Sequence, residues 1–163
     1  MILRVIRKVN DSVVVALFLA MTVTVLIQVF FRFVLQSPLR WTEELARYLM
    51  IWLVLMASAI AMRNHSHLQV DVLTSALPKG PKRTLTGIVD ILTIVFLCIM
   101  TWNGFKVVET TLAQTSPAMQ VPMAAIYAAF PVGGVLMILE QVLNFFKMLT
   151  GKDNPDEPRE FVD

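Results

Sequence analysis

The stretch Ser12–Phe31, SVVVALFLAMTVTVLIQVFF, decides the fold, because it runs its whole length without one ionisable side chain. About 20 apolar residues rising 1.5 Å each match the ~30 Å hydrocarbon core of a bilayer. Three further runs repeat the pattern: Leu45–Met62, with Arg47 near its start, Thr84–Phe105, which holds one acid, Asp90, and Pro122–Phe146, which holds Glu140 and Pro131. Backbone groups in hydrocarbon need internal hydrogen-bond partners, which leaves helices or closed barrels. These runs are too long and too weakly alternating for barrel strands. The expectation is an all-α integral membrane protein with four transmembrane helices plus short interfacial helices, residues 1–150 forming one domain.

Composition agrees. Of the 163 residues 56% are hydrophobic and 16% charged, with mean hydropathy +0.68, whereas soluble domains run near a quarter charged. What remains between the runs is too short for a separate domain of at least ~50 residues. The net charge of +2 gives no support to a nucleic-acid partner. The single cysteine, Cys98, excludes an internal disulfide and a Cys-x-x-Cys site. Arg4, Arg7 and Lys8 before the first run resemble the start of a secretory signal. The run is about twice the usual length, however, and ends in Phe30-Phe31-Arg32 rather than a small-x-small cleavage site. It therefore reads as an uncleaved anchor.

The basic residues set orientation. Arg4, Arg7, Lys8, Arg63, Lys79, Lys82, Arg83, Lys147, Lys152 and Arg159 fall on the side of the termini and the middle loop, and only Arg32, Arg40, Arg47 and Lys106 on the other. Positive residues concentrate in short cytoplasmic loops, so both termini are expected in the cytoplasm. Between the runs, Thr42 is placed to cap a helix that carries Glu43 and Glu44 in its first turn. Residues 66–77 alternate apolar Leu68, Val70, Val72, Leu73 and Leu77 with polar neighbours, as a short interfacial helix would. Residues 151–163, with Pro155, Pro158 and seven charged side chains, read as a disordered cytoplasmic tail.

Several constellations admit a functional and a structural reading. Trp41, Leu45, Tyr48 and Trp52 fall on one helical stripe: a docking face for a second membrane protein, or interfacial aromatics with core packing. Glu43 with Arg47, and Glu44 with Arg47, sit at pairing distance along a helix and would orient that segment rather than perform chemistry. Asp90, about 10 Å past Arg83 along a helix, must face protein or water. A polar contact with a partner helix is favoured over an ion or proton relay. His65 and His67, two apart in a polar loop, do not share a helix face as haem ligands would. Ala125, Ala129 and Gly133, and Ala57 with Ala61, are small-residue pairs suited to close helix approach. The ten methionines read as core filler. The chain carries no phosphate loop, metal cluster or nucleophile–base arrangement, so neither an enzyme nor a cofactor is expected.

Arg32-Phe33-Val34-Leu35, then Pro38-Leu39-Arg40-Trp41-Thr42-Glu43-Glu44-Leu45-Ala46-Arg47, then Trp52, then Arg63 with His67-Leu68-Gln69-Val70-Asp71-Val72, resembles the small membrane subunit (the Q subunit) of tripartite ATP-independent periplasmic (TRAP) transporters. Ser116-Pro117, Val121-Pro122, Tyr127 and Pro131-Val132-Gly133 are similar to the run into that family's fourth span. Ala57 replaces an expected glycine, and Ala124 replaces the aromatic residue that often follows the proline. The resemblance implies a non-catalytic scaffold in the bacterial inner membrane, with no substrate ligands of its own. It implies stable packing against a large subunit that carries an organic acid (a C4-dicarboxylate or a sialic acid) with sodium, and transient contact with a periplasmic substrate-binding protein. Trp41, Glu43, Glu44, Arg47, Tyr48, Trp52 and Asp90 are then the candidates for contacting or orienting that partner. The alternatives are a haem- or quinone-binding anchor of a respiratory oxidoreductase, which needs His65 or His67 on iron, and a small dimeric exporter. An exporter of that kind usually has an acid in its first span, and this one has none.

Overall fold

A peptide group stripped of water keeps its hydrogen bonds only by pairing along its own helix, and the apolar runs obey this rule beyond their own limits. The computed structural model describes residues 2–63 and 79–150. Their helices are α1 (Ile2–Phe33), α2 (Arg40–Arg63), α3 (Lys79–Thr110), the short α4 (Met123–Tyr127) and α5 (Ala129–Leu149). Among the described residues, four helical stretches are long and apolar enough to cross a membrane: Leu3–Phe33, Arg40–Arg63, Leu85–Thr110 and Met123–Lys147. The protein is thus all-α. The expected interfacial helix at 66–77, the tail at 151–163, His65 and His67 lie outside the described residues.

α1 begins about ten residues before the apolar run, and its burial explains why. Leu3, Arg7, Asn10, Val14, Leu17, Met21, Thr24, Gln28 and Phe31 are sheltered or half-sheltered and spaced alternately by three and four, with half-sheltered Asp11 and Ile27 beside them. That spacing makes a straight seam of the kind two left-handedly packed helices share, and the seam continues into the charged N-terminal turns. At its other end α1 closes with Gln36 at φ 49° and the Ser37 N–H donating to the Phe31 carbonyl at 3.1 Å. This is the left-handed helix stop, and Pro38 prevents continuation. α2 starts at Arg40, so Thr42 is not the cap expected. Its hydroxyl donates backward to the Leu39 carbonyl at 2.7 Å from inside the first turn.

Pro131 interrupts the last span. It lacks an N–H and its ring clashes with the carbonyl four residues back, and the helix is broken at Ala128, between α4 and α5.

The spans stand in a row, α1 beside α2, α2 beside α5, and α5 beside α3, with α4 against α3, α5 and α2. Apart from the reach of Arg7 to α5, α1 packs on α2 alone among the described elements. The core lies along the inner seams: Ala59, Leu97 and Met137 are buried, with Leu55, Met62, Met100, Leu136 and Ile138 around them. Large apolar side chains such as Phe18, Leu26, Leu92 and Phe96 face outward on the end helices, as lipid contact requires.

Of the small-residue stripe, Ala125 is exposed, while Ala129 and Gly133 are buried within the chain. A Cβ at Gly133 would stand 2.8 Å from the Leu55 Cβ and 3.2 Å from its carbonyl oxygen, so glycine sets the α2–α5 distance. Gly133→Val must push the two helices apart, an overpacking that costs about 1–3 kcal/mol. The expected result is a lower melting temperature of the purified protein, checked by differential scanning fluorimetry in detergent; an unchanged transition would refute the close contact.

Candidate functional site: polar braces and a partner face

Polar side chains inside an apolar row need internal partners, and here they gather at the two ends of the helices. At the end that bears the α1–α2 turn, Glu44 is buried and one of its oxygens accepts three hydrogen bonds. They come from the Ser116 hydroxyl at 3.2 Å, the Ala118 N–H at 3.1 Å and the Met119 N–H at 2.7 Å. Residues 111–122 form a hairpin-like loop around this point. Ser116 N–H donates to the Val121 carbonyl at 2.9 Å, Met123 N–H to the Gln114 carbonyl at 2.9 Å, and Gln120 takes φ 55°. Ser116 is fully buried, and its oxygen also accepts the Val121 N–H at 3.2 Å. Tyr48, one helical turn on, donates to the Met123 sulfur at 3.8 Å. Two sequence pieces more than 70 residues apart, Trp41-Thr42-Glu43-Glu44 and Ser116-Pro117, thereby meet at a single carboxylate.

The expected pairing of Glu43 and Glu44 with Arg47 is not made: the ion pairs among the described residues are Arg7–Glu140 and Arg63–Asp11. Three oriented donors offer a buried carboxylate more than a flexible guanidinium does. An exposed i,i+4 pair, worth a few tenths of a kcal/mol, does not fix two long side chains. Glu43 and Arg47 are exposed, Trp41 is 42% exposed, and Tyr48 and Trp52 are half-buried. The aromatic stripe is thus divided between the chain's own packing and its surface.

At the other end, α1 is fastened twice. Both terminal nitrogens of Arg63 reach the Asp11 carboxylate, at 2.9 and 3.2 Å. Arg7 engages both oxygens of the buried Glu140, with its Nε at 2.8 Å. The Asn10 and Asn144 amides donate to the Met56 and Met62 carbonyls of α2, at 3.2 and 2.7 Å, from opposite sides. Asp90, 4% exposed, accepts from the Gln141 amide at 2.8 Å. It joins α3 to α5 within this chain. Arg7, Asn10, Asp11 and Glu140 were not singled out from sequence. Their signal is the polar residues Arg7 and Asn10 falling on the three–four seam of α1. No group of three or more His, Cys, Asp or Glu side chains suited to a metal occurs among the described residues.

Known proteins place these features. The family model for the DctQ component of tripartite ATP-independent periplasmic transporters matches residues 21–151. The sialic acid TRAP transporter small permease protein SiaQ of Vibrio cholerae is 26% identical over 154 residues, covering 93% of this chain and 89% of its own length. The ectoine TRAP transporter small permease protein TeaB of Halomonas elongata is 26% identical over 146 residues, 88% of this chain and 76% of its own. The isethionate TRAP transporter permease protein DctMQ of Oleidesulfovibrio alaskensis is 33% identical over 99 residues, 60% of this chain, and the match spans only 16% of that longer protein. None of these supports the haem- or quinone-anchor reading. The chain belongs to the DctQ family: it is the small permease component of a TRAP transporter, a multi-pass inner-membrane protein that takes part in transport and is not an enzyme.

Proposed function

We propose that this chain is the stationary packing subunit of a sodium-driven organic-acid importer, of the C4-dicarboxylate or sialic acid class. It sits on a large permease subunit that carries both substrate and sodium, and meets the periplasmic binding protein only transiently. Residues 1–150 act as one transmembrane unit, with both termini in the cytoplasm as the basic residues dictate. The observation that carries the reading is the free face of α2. Arg40, Glu43, Arg47, Met50 and Val54 are exposed at alternating three- and four-residue steps, and the three charged members form no ion pair among the described residues. A charged side chain at a membrane boundary needs a partner or water, and a complementary stripe on a larger subunit supplies one. The relatives support this partner: in the sialic acid TRAP transporter permease protein SiaT of Haemophilus influenzae, the matching stretch is 23% of one longer polypeptide.

Deleting this chain while retaining the large subunit and the binding protein should reduce sodium-dependent uptake of the substrate to the level of cells lacking the transporter. Undiminished uptake would overturn the proposal. Glu43→Lys or Arg47→Glu should sharply lower the yield of large subunit recovered with this chain by affinity purification. Full recovery from both variants would remove the α2 stripe from the interface.

A further inference from the structure

Between Glu109 and Glu140 the chain carries no Asp, Glu, Lys, Arg or His. That interval takes in the whole of the 111–122 loop, whereas water-facing connections draw freely on charged side chains. The loop also closes its own hydrogen bonds. The N–H groups of Gln114, Ser116, Ala118, Met119, Gln120 and Val121 all donate within the protein, and Pro117 and Pro122 have none to donate. Non-helical backbone beside lipid needs its polar groups paired in this way. The depth of the loop follows from α2. From Arg63, which holds Asp11, to Glu44, which holds the loop, α2 runs 19 residues without a break, about 28 Å. The hydrocarbon core is ~30 Å thick, and each headgroup layer adds about 5–7 Å. Glu44 therefore fastens the loop level with the far edge of the hydrocarbon. On α3, Trp102 is 66% exposed with the Lys106 ammonium 5.9 Å from its ring centroid, and tryptophan gathers at that same level.

We infer that the outward surface of the 111–122 loop lies in the lipid headgroup layer, against lipid rather than water or a second protein. Leu112, Gln114, Pro117, Ala118 and Gln120 are its exposed side chains, apolar or uncharged, which suits a layer shared by water and lipid. The Trp, Tyr and Arg residues that anchor protein interfaces do not occur in the loop. It continues the lipid-facing surface of α3, where Phe96 and Ile99 are exposed, beyond the helix end. The loop thereby fixes how deep this end of the subunit sits.

The test places a nitroxide at Leu112→Cys or Ala118→Cys, with Cys98 and the cysteines of the other subunits replaced, in transporter reconstituted into lipid nanodiscs. Relaxation of the label by a nickel chelate tethered to lipid headgroups is compared with relaxation by a nickel chelate free in water. The expected result at both sites is a larger rise in half-saturation power with the tethered chelate. A reference label at Phe96→Cys should respond to dissolved oxygen far more than to either chelate. A larger rise with the free chelate puts the loop in water and overturns the inference. No rise with either marks a surface covered by another subunit and overturns it equally. The same order is expected from this chain alone in nanodiscs, so the inference stands or falls separately from the proposed partnership with a large subunit.

Discussion

Glu44→Leu should release the 111–122 loop and lower the stability of the protein by on the order of 3 kcal/mol. The size follows from what the substitution leaves behind. A hydrogen bond to a charged group contributes roughly 1.5–3 kcal/mol, and an abandoned buried donor costs about 1–3 kcal/mol. Here one carboxylate oxygen serves a hydroxyl and two backbone N–H groups. Glu44→Gln keeps an acceptor of the same shape and should lose less than half as much. Ser116→Ala removes one donor and should cost about 1 kcal/mol. The measurements are the melting temperature of the purified protein and its cleavage by a non-specific protease within residues 111–122. A Glu44→Leu variant that melts as wild type and resists cleavage equally well would show that the carboxylate does not fasten the loop.

Arg7→Met should be the most damaging single change at the opposite end, about 3 kcal/mol, because it strands Glu140 beneath the row. Breaking one side of a buried ion pair costs about 3–5 kcal/mol, and the low end applies because the Arg7 side chain keeps 27% of its exposure against 7% for Glu140. The double variant Arg7→Met/Glu140→Leu should recover most of the loss, since apolar residues of similar volume replace buried pairs at little cost. The same cycle on Asp11 and Arg63 should yield no more than about 1 kcal/mol, because Asp11 is 44% exposed and that pair is screened by solvent. Chemical denaturation of the four variants gives the coupling energy directly. Equal couplings for the two pairs would contradict the burial argument.

The spans themselves were legible because insertion in hydrocarbon leaves a composition signal that needs no tertiary information. Their limits were less so. Reading α1 from the last polar residue before the apolar run placed its start at Ser12. The helix extends to Ile2, and its added turns carry Arg7 and Asn10, which reach Glu140 of α5 and the Met56 carbonyl of α2. A seam is visible in sequence only once its period is followed through charged residues, and an arginine on a buried face contradicts the simplest reading of such a stretch. Glu44 illustrates a second limit. Its neighbours favour a pairing with Arg47, since helical spacing is local, whereas its actual partners arrive from residues 116–119, and no local rule announces a contact across more than 70 positions. Asp90 reads from sequence as a residue that must face protein or water. That its partner would be Gln141 on the same chain depends on α3 and α5 being neighbours. The TRAP motif pieces recognised from sequence now have physical tasks: Glu44 and Ser116 close one end, and Arg63 ties α2 to α1.

Four helices in single file make a plank one helix thick. A closed bundle resists bending in every direction, because each rod is propped by others on several sides; a plank is stiff along its width and yields easily across its thin direction. Such an object gains rigidity from whatever broad body it is bolted to, and in return it spreads that body's footing through the surrounding lipid.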